Sequence, residues 1–268
     1  MELMSNLKQI EKNGFTVLRN AIDDSLVDEI VNKTKDNLKQ NSSKKWKGGQ
    51  EAKFSCEFLG ESLVNLISNE NIIKACKRML GPHMRFDHAF GYKISGNAVP
   101  GKLATKNMHG GVNSNLGMNF YRGGMPLEKN LVRTFRLNVS LALTDFGPTI
   151  GGAQAIPGTH KGGNRNKCKR NCPPEKVYLK QVVIPQGKTG DLLIFADSLV
   201  HGSSAHSGER ISLYLMYTSG FCCFHPWKEA VEPYCKYAKS QTEKKLLSPA
   251  FVAETDENLQ SLSWRETI

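Results

Sequence analysis

The feature that most constrains the fold is a change in hydrophobic periodicity near residue 82. Before it, apolar residues such as Leu26, Ile30 and Leu38 recur at helical spacing, which predicts amphipathic helices. After it, apolar and polar residues alternate, which predicts β-strands with one face turned to a core. Because helices and strands do not alternate along the chain, the pattern argues against a doubly wound α/β fold.

Individual elements follow from this pattern. Helices are predicted near the start, over about 24–38, and over about 61–80, where Gly81-Pro82 supplies a stop signal. A short strand is predicted at 14–19, and longer ones over 84–94, 135–143, 192–196 and 211–217. In the strand at 84–94 the alternation puts six residues on one face: Met84, Phe86, His88, Phe90, Tyr92 and Ile94.

Short strands separated by Gly- and Pro-rich turns favour a mainly β fold, a β-sandwich or jelly roll (cupin-like) with N-terminal flanking helices. The length of 268 residues fits one domain. We expect a helical part over 1–82, a jelly-roll core over 83–220 and a C-terminal extension over 221–268.

Composition narrows the partners and the compartment. Lys plus Arg number 36 and Asp plus Glu 25, a net charge of +11, but no aromatic–basic interleaving typical of nucleic-acid binding is present. No apolar run is long enough to span a membrane, and the start of the chain is polar. The seven cysteines show no disulfide framework. We therefore expect a cytoplasmic protein that acts on a small molecule, without nucleic acid or membrane.

Two histidines stand in contexts that favour metal binding. His109 ends a glycine-rich stretch in Asn107-Met-His-Gly-Gly111, and His201 follows the predicted strand at 192–196. Arg210 and Ser212 are two positions apart, so they share one face of the strand that follows. Two imidazoles on neighbouring strands suit Fe(II), and an arginine beside a hydroxyl suits the far carboxylate of a 2-oxoacid that chelates the metal.

Several stretches resemble the phytanoyl-CoA dioxygenase family of Fe(II)/2-oxoglutarate oxygenases. They are GFTVLRNAIDDSLVDEIV, NMHGG, LALTDFGPTIGGAQAIPGTHKG and GKTGDLLIFADSLVHGSS followed by ERISL, in the family's order over roughly residues 14 to 220. The resemblance implies a double-stranded β-helix, a dioxygenase activity, and Fe(II) and 2-oxoglutarate as cofactors. It implies that His109 and His201 bind iron, that Arg210 and Ser203 hold 2-oxoglutarate, and that Lys93 also touches the co-substrate.

The chain departs from the family at the third iron ligand. The family's motif is His-x-Asp, but here it is His109-Gly110-Gly111, so Gly111 stands where the carboxylate should be. Iron/2-oxoglutarate halogenases carry a similar His-x-Gly, in which a chloride takes the open position. Three hypotheses remain: a halogenase, a hydroxylase with water, substrate or a distant carboxylate such as Asp87 at that position, and a non-catalytic small-molecule-binding or regulatory protein.

Two long loops are predicted to cover the substrate, over 96–133 and 158–176. Their basic residues, Arg122, Lys129, Arg133, Lys161 and Arg165, would favour an anionic substrate, although solvated basic side chains are the commoner explanation. A zinc site from His160, Cys168 and Cys172 is a weaker alternative, because a structural site needs four ligands. The pattern also predicts that His88 is packed in the core and that a carboxylate at Asp87 is solvated.

Overall fold

The computed structural model describes residues 2–40, 51–97, 99, 108–110, 124–128, 131–161, 180–220, 222 and 224–249. The helices are α1 Glu2–Asn13, α2 Asp24–Gln40, α3 Glu61–Ile67, α4 Glu70–Leu80, α5 Trp227–Ala230, α6 Glu232–Cys235 and α7 Gln241–Leu246. The strands are β1 Phe15–Leu18, β2 Glu51–Phe54, β3 Arg85–Asn97, β4 His109–Gly110, β5 Gly124–Glu128, β6 Leu131–Thr134, β7 Arg136–Ala142, β8 Ala153–Ala155, β9 Leu192–Ala196, β10 Val200–Ser203 and β11 Ser207–Thr218.

The strands form a large and a small sheet. The large sheet has six strands in the order β1-β9-β7-β11-β3-β2, and the small one has three in the order β4-β10-β8. Every pairing is antiparallel, and β5 and β6 form a separate hairpin. This arrangement confirms the predicted mainly β fold, a jelly-roll or double-stranded β-helix core with flanking helices.

The main core lies between the helices and one face of the large sheet. Helix residues such as Ile10, Ile30 and Ile72 are fully buried there against Val139 and Leu213 of the central strands. The opposite face of the same sheet carries the polar members of the alternation, and this face turns towards the small sheet. The periodicity therefore decides which side chains enter the core and which remain available for a site.

The predicted face of β3 is partly wrong because a β-bulge interrupts the strand. The register with β11 shifts between Met216, which pairs with His88, and Tyr217, which pairs with Phe86. The extra residue, Asp87, turns the side chains before it to the other face. Phe86 consequently packs in the main core, whereas the members of the alternation after the bulge face the small sheet: His88, Phe90, Tyr92 and Ile94.

The helical stretch predicted over 61–80 is also divided. α3 ends at Ile67 and α4 begins at Glu70, with the Asn69 side chain accepting a hydrogen bond from the Asn71 backbone N–H as an N-cap. Asn competes for backbone hydrogen bonds within a helix, so it favours a new start there. No helix in the part of the chain that the structure describes is both long enough and apolar enough to cross a membrane.

Candidate functional site

A pocket of about 400 Å³ opens between the two sheets. The large sheet supplies an aromatic wall, and the small sheet supplies part of β10. The lining residues are Phe90, Tyr92, Arg136, Asn138, Ala153, Phe195, Asp197, His201, Gly202, Ser203, Tyr214 and Met216. A polar constriction of about 20 Å³ beside it contains Arg210 and Ser212 and shares Ala153 and Tyr214 with it.

The backbone register brings the two predicted metal ligands into one cross-strand pair. β10 runs antiparallel to β4, and His201 lies directly opposite His109. The register therefore places the backbone of position 109 directly across from that of His201. The sequence prediction required these two distant positions to meet, and the fold brings them together at the edge of the small sheet.

The imidazole of His201 is held in one orientation. Its Nδ1 lies 2.7 Å from the carbonyl oxygen of Leu199, and its ring packs at 4.7 Å from the ring of Phe195. A carbonyl only accepts hydrogen bonds, so Nδ1 carries a proton, and Nε2 is the ring nitrogen on the side away from Leu199. A backbone carbonyl that orients a histidine in this way is typical of metal-binding imidazoles.

Arg210 is buried without a carboxylate partner among the described residues. It is 4% exposed, its Nη2 donates a hydrogen bond to Ser203 Oγ at 3.2 Å, and its Nε has no partner among those residues. Ser212 is buried on the same face of β11 and lines the same constriction. A buried guanidinium is stabilised when an anion accepts its hydrogen bonds. Arg210, Ser203 and Ser212 therefore fit the distal carboxylate of 2-oxoglutarate.

Lys93 does not join this group. It pairs with Ile211 in the register of β3 and β11, so it lies on the opposite face from Arg210, which pairs with Ile94. Its Nζ forms an ion pair with Glu209 at 2.5 Å. The alternation of side chains along β3 therefore places Lys93 on the face away from Arg210, and its contact with the co-substrate stays a prediction from the resemblance.

The pocket also contains an ionic cluster that sequence reasoning missed. The Arg136 Nη2 and Asn138 Nδ2 groups both donate to Asp197 Oδ1, at 2.9 and 3.0 Å. Burial favours a raised pKa for the Asp197 carboxyl, but the charges of Arg136 and His201 and these hydrogen bonds outweigh it and hold the pKa below its ordinary value. Part of this cluster could have been predicted from the sequence, because Arg136 and Asn138 are polar residues that alternate with the apolar residues of β7 and so share its pocket-side face.

Asp87 and His88 differ from their sequence predictions. Asp87 is 4% exposed and bonds to the Phe224 N–H at 2.9 Å and to His225 Nδ1 at 2.7 Å, so it is not a solvated carboxylate. His88 is half-buried outside the main core, and its ring stacks on that of His225 at 4.2 Å. Burial, followed by the neighbouring charges of His225 and Lys53, lowers the pKa of His88 to about 4.

Several predicted features lie outside the described residues. Gly111 is one of them, as are Arg122, Lys129, Arg165, Cys168, Cys172 and most of the loops at 96–133 and 158–176. Among the side chains that the structure does describe, no three of His, Cys, Asp and Glu converge to form a metal-binding group.

The comparison with protein families confirms the resemblance seen in the sequence. The model of the phytanoyl-CoA dioxygenase family (PhyH) matches residues 119–212, a stretch that includes His201, Ser203 and Arg210. His109 and Gly111 precede the matched stretch. No curated protein sequence matches the chain.

Solved structures share the fold at low sequence identity. HygX from Streptomyces hygroscopicus, with nickel and 2-oxoglutarate bound, is 14% identical with a TM-score of 0.59, over 82% of this chain and 88% of that one. EctD from S. alaskensis, with 2-oxoglutarate and 5-hydroxyectoine, is 18% identical with a TM-score of 0.54, over 80% and 75%. The non-heme alpha ketoglutarate dependent epimerase SnoN is 15% identical with a TM-score of 0.57, over 82% and 84%.

Proposed function

We propose that this chain is an Fe(II)/2-oxoglutarate-dependent enzyme that oxidises an unactivated C–H bond of a small molecule. The observation that carries the proposal is the cross-strand pair of His109 and His201 beside a pocket whose polar end contains the buried Arg210. The family match over 119–212 supports it. Structures of the same fold contain nickel and 2-oxoglutarate in HygX and iron in EctD, which supports the same cofactors here.

The residues present fit these groups. His109 and His201 would hold the metal, and because Nδ1 of His201 donates to the Leu199 carbonyl, Nε2 would be its ligand atom. Arg210 would hold the distal carboxylate of 2-oxoglutarate, with Ser203 and Ser212 beside it. When bound, Fe(II) and 2-oxoglutarate would activate O₂ for oxidation of the substrate C–H bond, with 2-oxoglutarate converted to succinate and CO₂.

The protein's own contribution is orientation and exclusion of water. The aromatic side chains of Phe90, Phe195 and Tyr214 form an apolar wall along the pocket, with Phe90 and Tyr214 stacked at 5.1 Å. Such a wall limits the side reactions that water would bring to an oxidising site. The 400 Å³ volume suits a small molecule and lies within the usual range of ligand pockets, about 300–1,000 Å³.

The glycine at position 111, where the family has a carboxylate, determines which reactions are open to the enzyme. A glycine brings no ligand to the metal, so we propose that chloride or water takes the place of the usual carboxylate. With chloride the product would be chlorinated, and with water it would be hydroxylated. The SnoN structure shows that the fold also serves an epimerase, so the fold alone does not select one outcome.

The test is spectroscopic and uses the purified full chain. Anaerobic addition of Fe(II) and 2-oxoglutarate should produce the weak visible charge-transfer band of chelated iron, and admission of O₂ should produce succinate. A chain that shows neither the band nor succinate is a binding protein, and the proposal fails.

A second experiment separates chlorination from hydroxylation. We expect Gly111→Asp to tighten iron binding and to abolish any dependence of O₂ binding on chloride. If chloride affects neither the wild type nor the variant, chlorination is excluded and hydroxylation stands. The neighbouring Gly110→Asp variant is the matched control, because it adds the same charge one position from the ligand site.

A further inference from the structure

Three buried polar atoms without partners lie together on one side of the pocket. They are Arg136 Nε, Asn138 Oδ1 and Asp197 Oδ2, and none has a hydrogen-bond partner among the described residues. They belong to the cluster in which Arg136 and Asn138 both bond to the other oxygen of Asp197. Asn138 is 3% exposed and Asp197 4%, so bulk water does not satisfy them. Buried polar groups are normally paired, and three exceptions in one cluster need an explanation.

The hydrogen-bonding character of these atoms restricts what would satisfy them. Asp197 Oδ2 and Asn138 Oδ1 accept hydrogen bonds, whereas Arg136 Nε donates one. A metal ion satisfies the two acceptors but repels the guanidinium, and an isolated anion satisfies the donor but repels the carboxylate. The complement is a ligand that carries both hydrogen-bond donors and an acceptor within one small fragment.

The other side chains of the pocket restrict the charge and shape of that ligand. The charges of Arg136 and Asp197 cancel across their 2.9 Å ion pair, so this side of the pocket has no net attraction for an anion. The neighbouring strands of the same sheet, β11 and β3, carry aromatic side chains beside this cluster, with Tyr92 and Tyr214 edge to face at 6.4 Å and Phe90 stacked on Tyr214. Aromatic faces accommodate the C–H surface of a ring or the cationic edge of an amine.

We infer that Arg136, Asn138 and Asp197 form the substrate-recognition group of this site, and that the substrate is a polyol or amino alcohol with neighbouring hydroxyl or amine donors. The inference rests on the proposed function, since it names the substrate class of the same pocket. It differs from the expectation of an anionic substrate, which depended on basic loop residues, three of which lie outside the described part of the chain: Arg122, Lys129 and Arg165. It also gives Asp197 a role distinct from that of a metal ligand.

The experiment measures binding of three probes to the full chain loaded with Ni(II) and 2-oxoglutarate, by calorimetry. The probes are myo-inositol, glucosamine and octanoate. At least one of the two hydroxylated probes is expected to bind saturably, whereas octanoate does not. Asp197→Asn and Asn138→Leu should each weaken that binding about 10-fold or more, because each removes an acceptor from the ligand. Asp36→Asn, an exposed position on α2, is the matched control and should bind as the wild type does.

Several results would overturn the inference. They are the absence of binding by both hydroxylated probes, tighter binding of octanoate, and unchanged affinity in both variants. Loss of Ni(II) binding in Asp197→Asn would show that Asp197 is a metal ligand instead. Should Asp197→Asn fail to fold, Asn138→Leu decides alone. Failure of the proposed function is visible separately, because wild-type chain without the Fe(II)–2-oxoglutarate band could still bind a hydroxylated probe through these residues.

Discussion

His201 lies directly opposite His109 in the antiparallel pair of β10 and β4, at the edge of the small sheet. The described part of this ladder consists of two pairs, His201 with His109 and Val200 with Gly110. On its other side β10 pairs with β8, where His201 lies opposite Ala155. The position of His201 is thus held from β8 on one side, and the strand that carries His109 pairs with it on the other.

The first prediction concerns metal affinity. Replacing either histidine by alanine, His109→Ala or His201→Ala, should raise the Kd for Co(II) at least about 10-fold, because a site with two protein ligands loses half of them. Co(II) titration followed by its visible absorption measures the effect. His83→Ala, in the turn before β3, is the control. Equal Co(II) affinity in all four proteins would exclude this pair as the metal site.

The second prediction concerns 2-oxoglutarate. Arg210→Lys keeps the positive charge but loses the planar fork and the contact to Ser203, so the Kd for 2-oxoglutarate should rise about 10-fold. The measurement is titration of the iron charge-transfer band. Arg19→Lys, an exposed arginine at the end of β1, should leave that Kd unchanged. Unaltered binding in Arg210→Lys would mean that another cation holds the co-substrate.

Much of the architecture was predictable because the hydrophobic periodicity of the sequence determines which faces of the helices and strands enter the core. The alternation in β7 predicted that Leu137, Val139 and Leu141 enter the core, and all three are fully buried. The motifs around His201 and Arg210 similarly placed two groups of the site. Hydrophobic periodicity cannot reveal a β-bulge. For that reason the sequence placed Phe86 on the wrong face of β3 and predicted an exposed carboxylate at Asp87, which is buried.

The cluster around Asp197 shows a second limit. Nothing local in Phe195-Ala-Asp-Ser198 reveals that a carboxylate there meets Arg136, because the contact depends on how β7 and β9 pair. Leu137 lies opposite Ala196 in that register, which carries the end of β9 alongside the start of β7. Cross-strand partners of this kind come from tertiary pairing, and a single sequence does not specify it.

The third prediction follows from the low pKa of His88. Burial is the largest cause, and together with the charges of His225, Lys53 and Arg136, which Asp87 opposes, it lowers this pKa to about 4. The unfolded chain therefore takes up a proton near its ordinary pKa of 6.5, whereas the folded chain does not until about pH 4. The free energy of unfolding should be fully retained above pH 6.5 and fall as the pH is lowered towards 4.

Urea unfolding of the wild type and of His88→Gln at a series of pH values tests this. Glutamine cannot titrate in this range, so the difference between the two free-energy curves isolates the contribution of His88. The wild type should lose stability more steeply than the variant between pH 6.5 and 4. Parallel curves would mean that His88 titrates alike in the folded and unfolded chains.

The fourth prediction concerns the ion pair of Arg136 and Asp197, whose side chains are 15% and 6% exposed. Arg136→Met leaves a buried carboxylate without its cation and should cost about 3–5 kcal/mol of stability. The double variant Arg136→Met, Asp197→Leu removes both charges and should recover most of that loss. Thermal or urea unfolding of the two variants decides the matter. A double variant no more stable than Arg136→Met would show that the loss comes from packing.

The fifth prediction concerns the turn that enters β8. Gly151 has a φ of +109°, and a Cβ there would come within 2.2 Å of the Cβ of His206 and 2.7 Å of the Ala205 carbonyl oxygen. Gly151→Ala therefore combines backbone strain with a clash against backbone, and should cost more than about 2 kcal/mol. Gly208→Ala is the matched control, since Gly208 also has a positive φ, of +81°, but nothing lies within 4 Å of its added Cβ. It should cost only the conformational part, about 1 kcal/mol.

Equal losses in urea unfolding would mean that the segment at His206 moves aside freely. The predicted difference instead requires that this turn hold β8, and with it Ala153 in the pocket wall, in a single place.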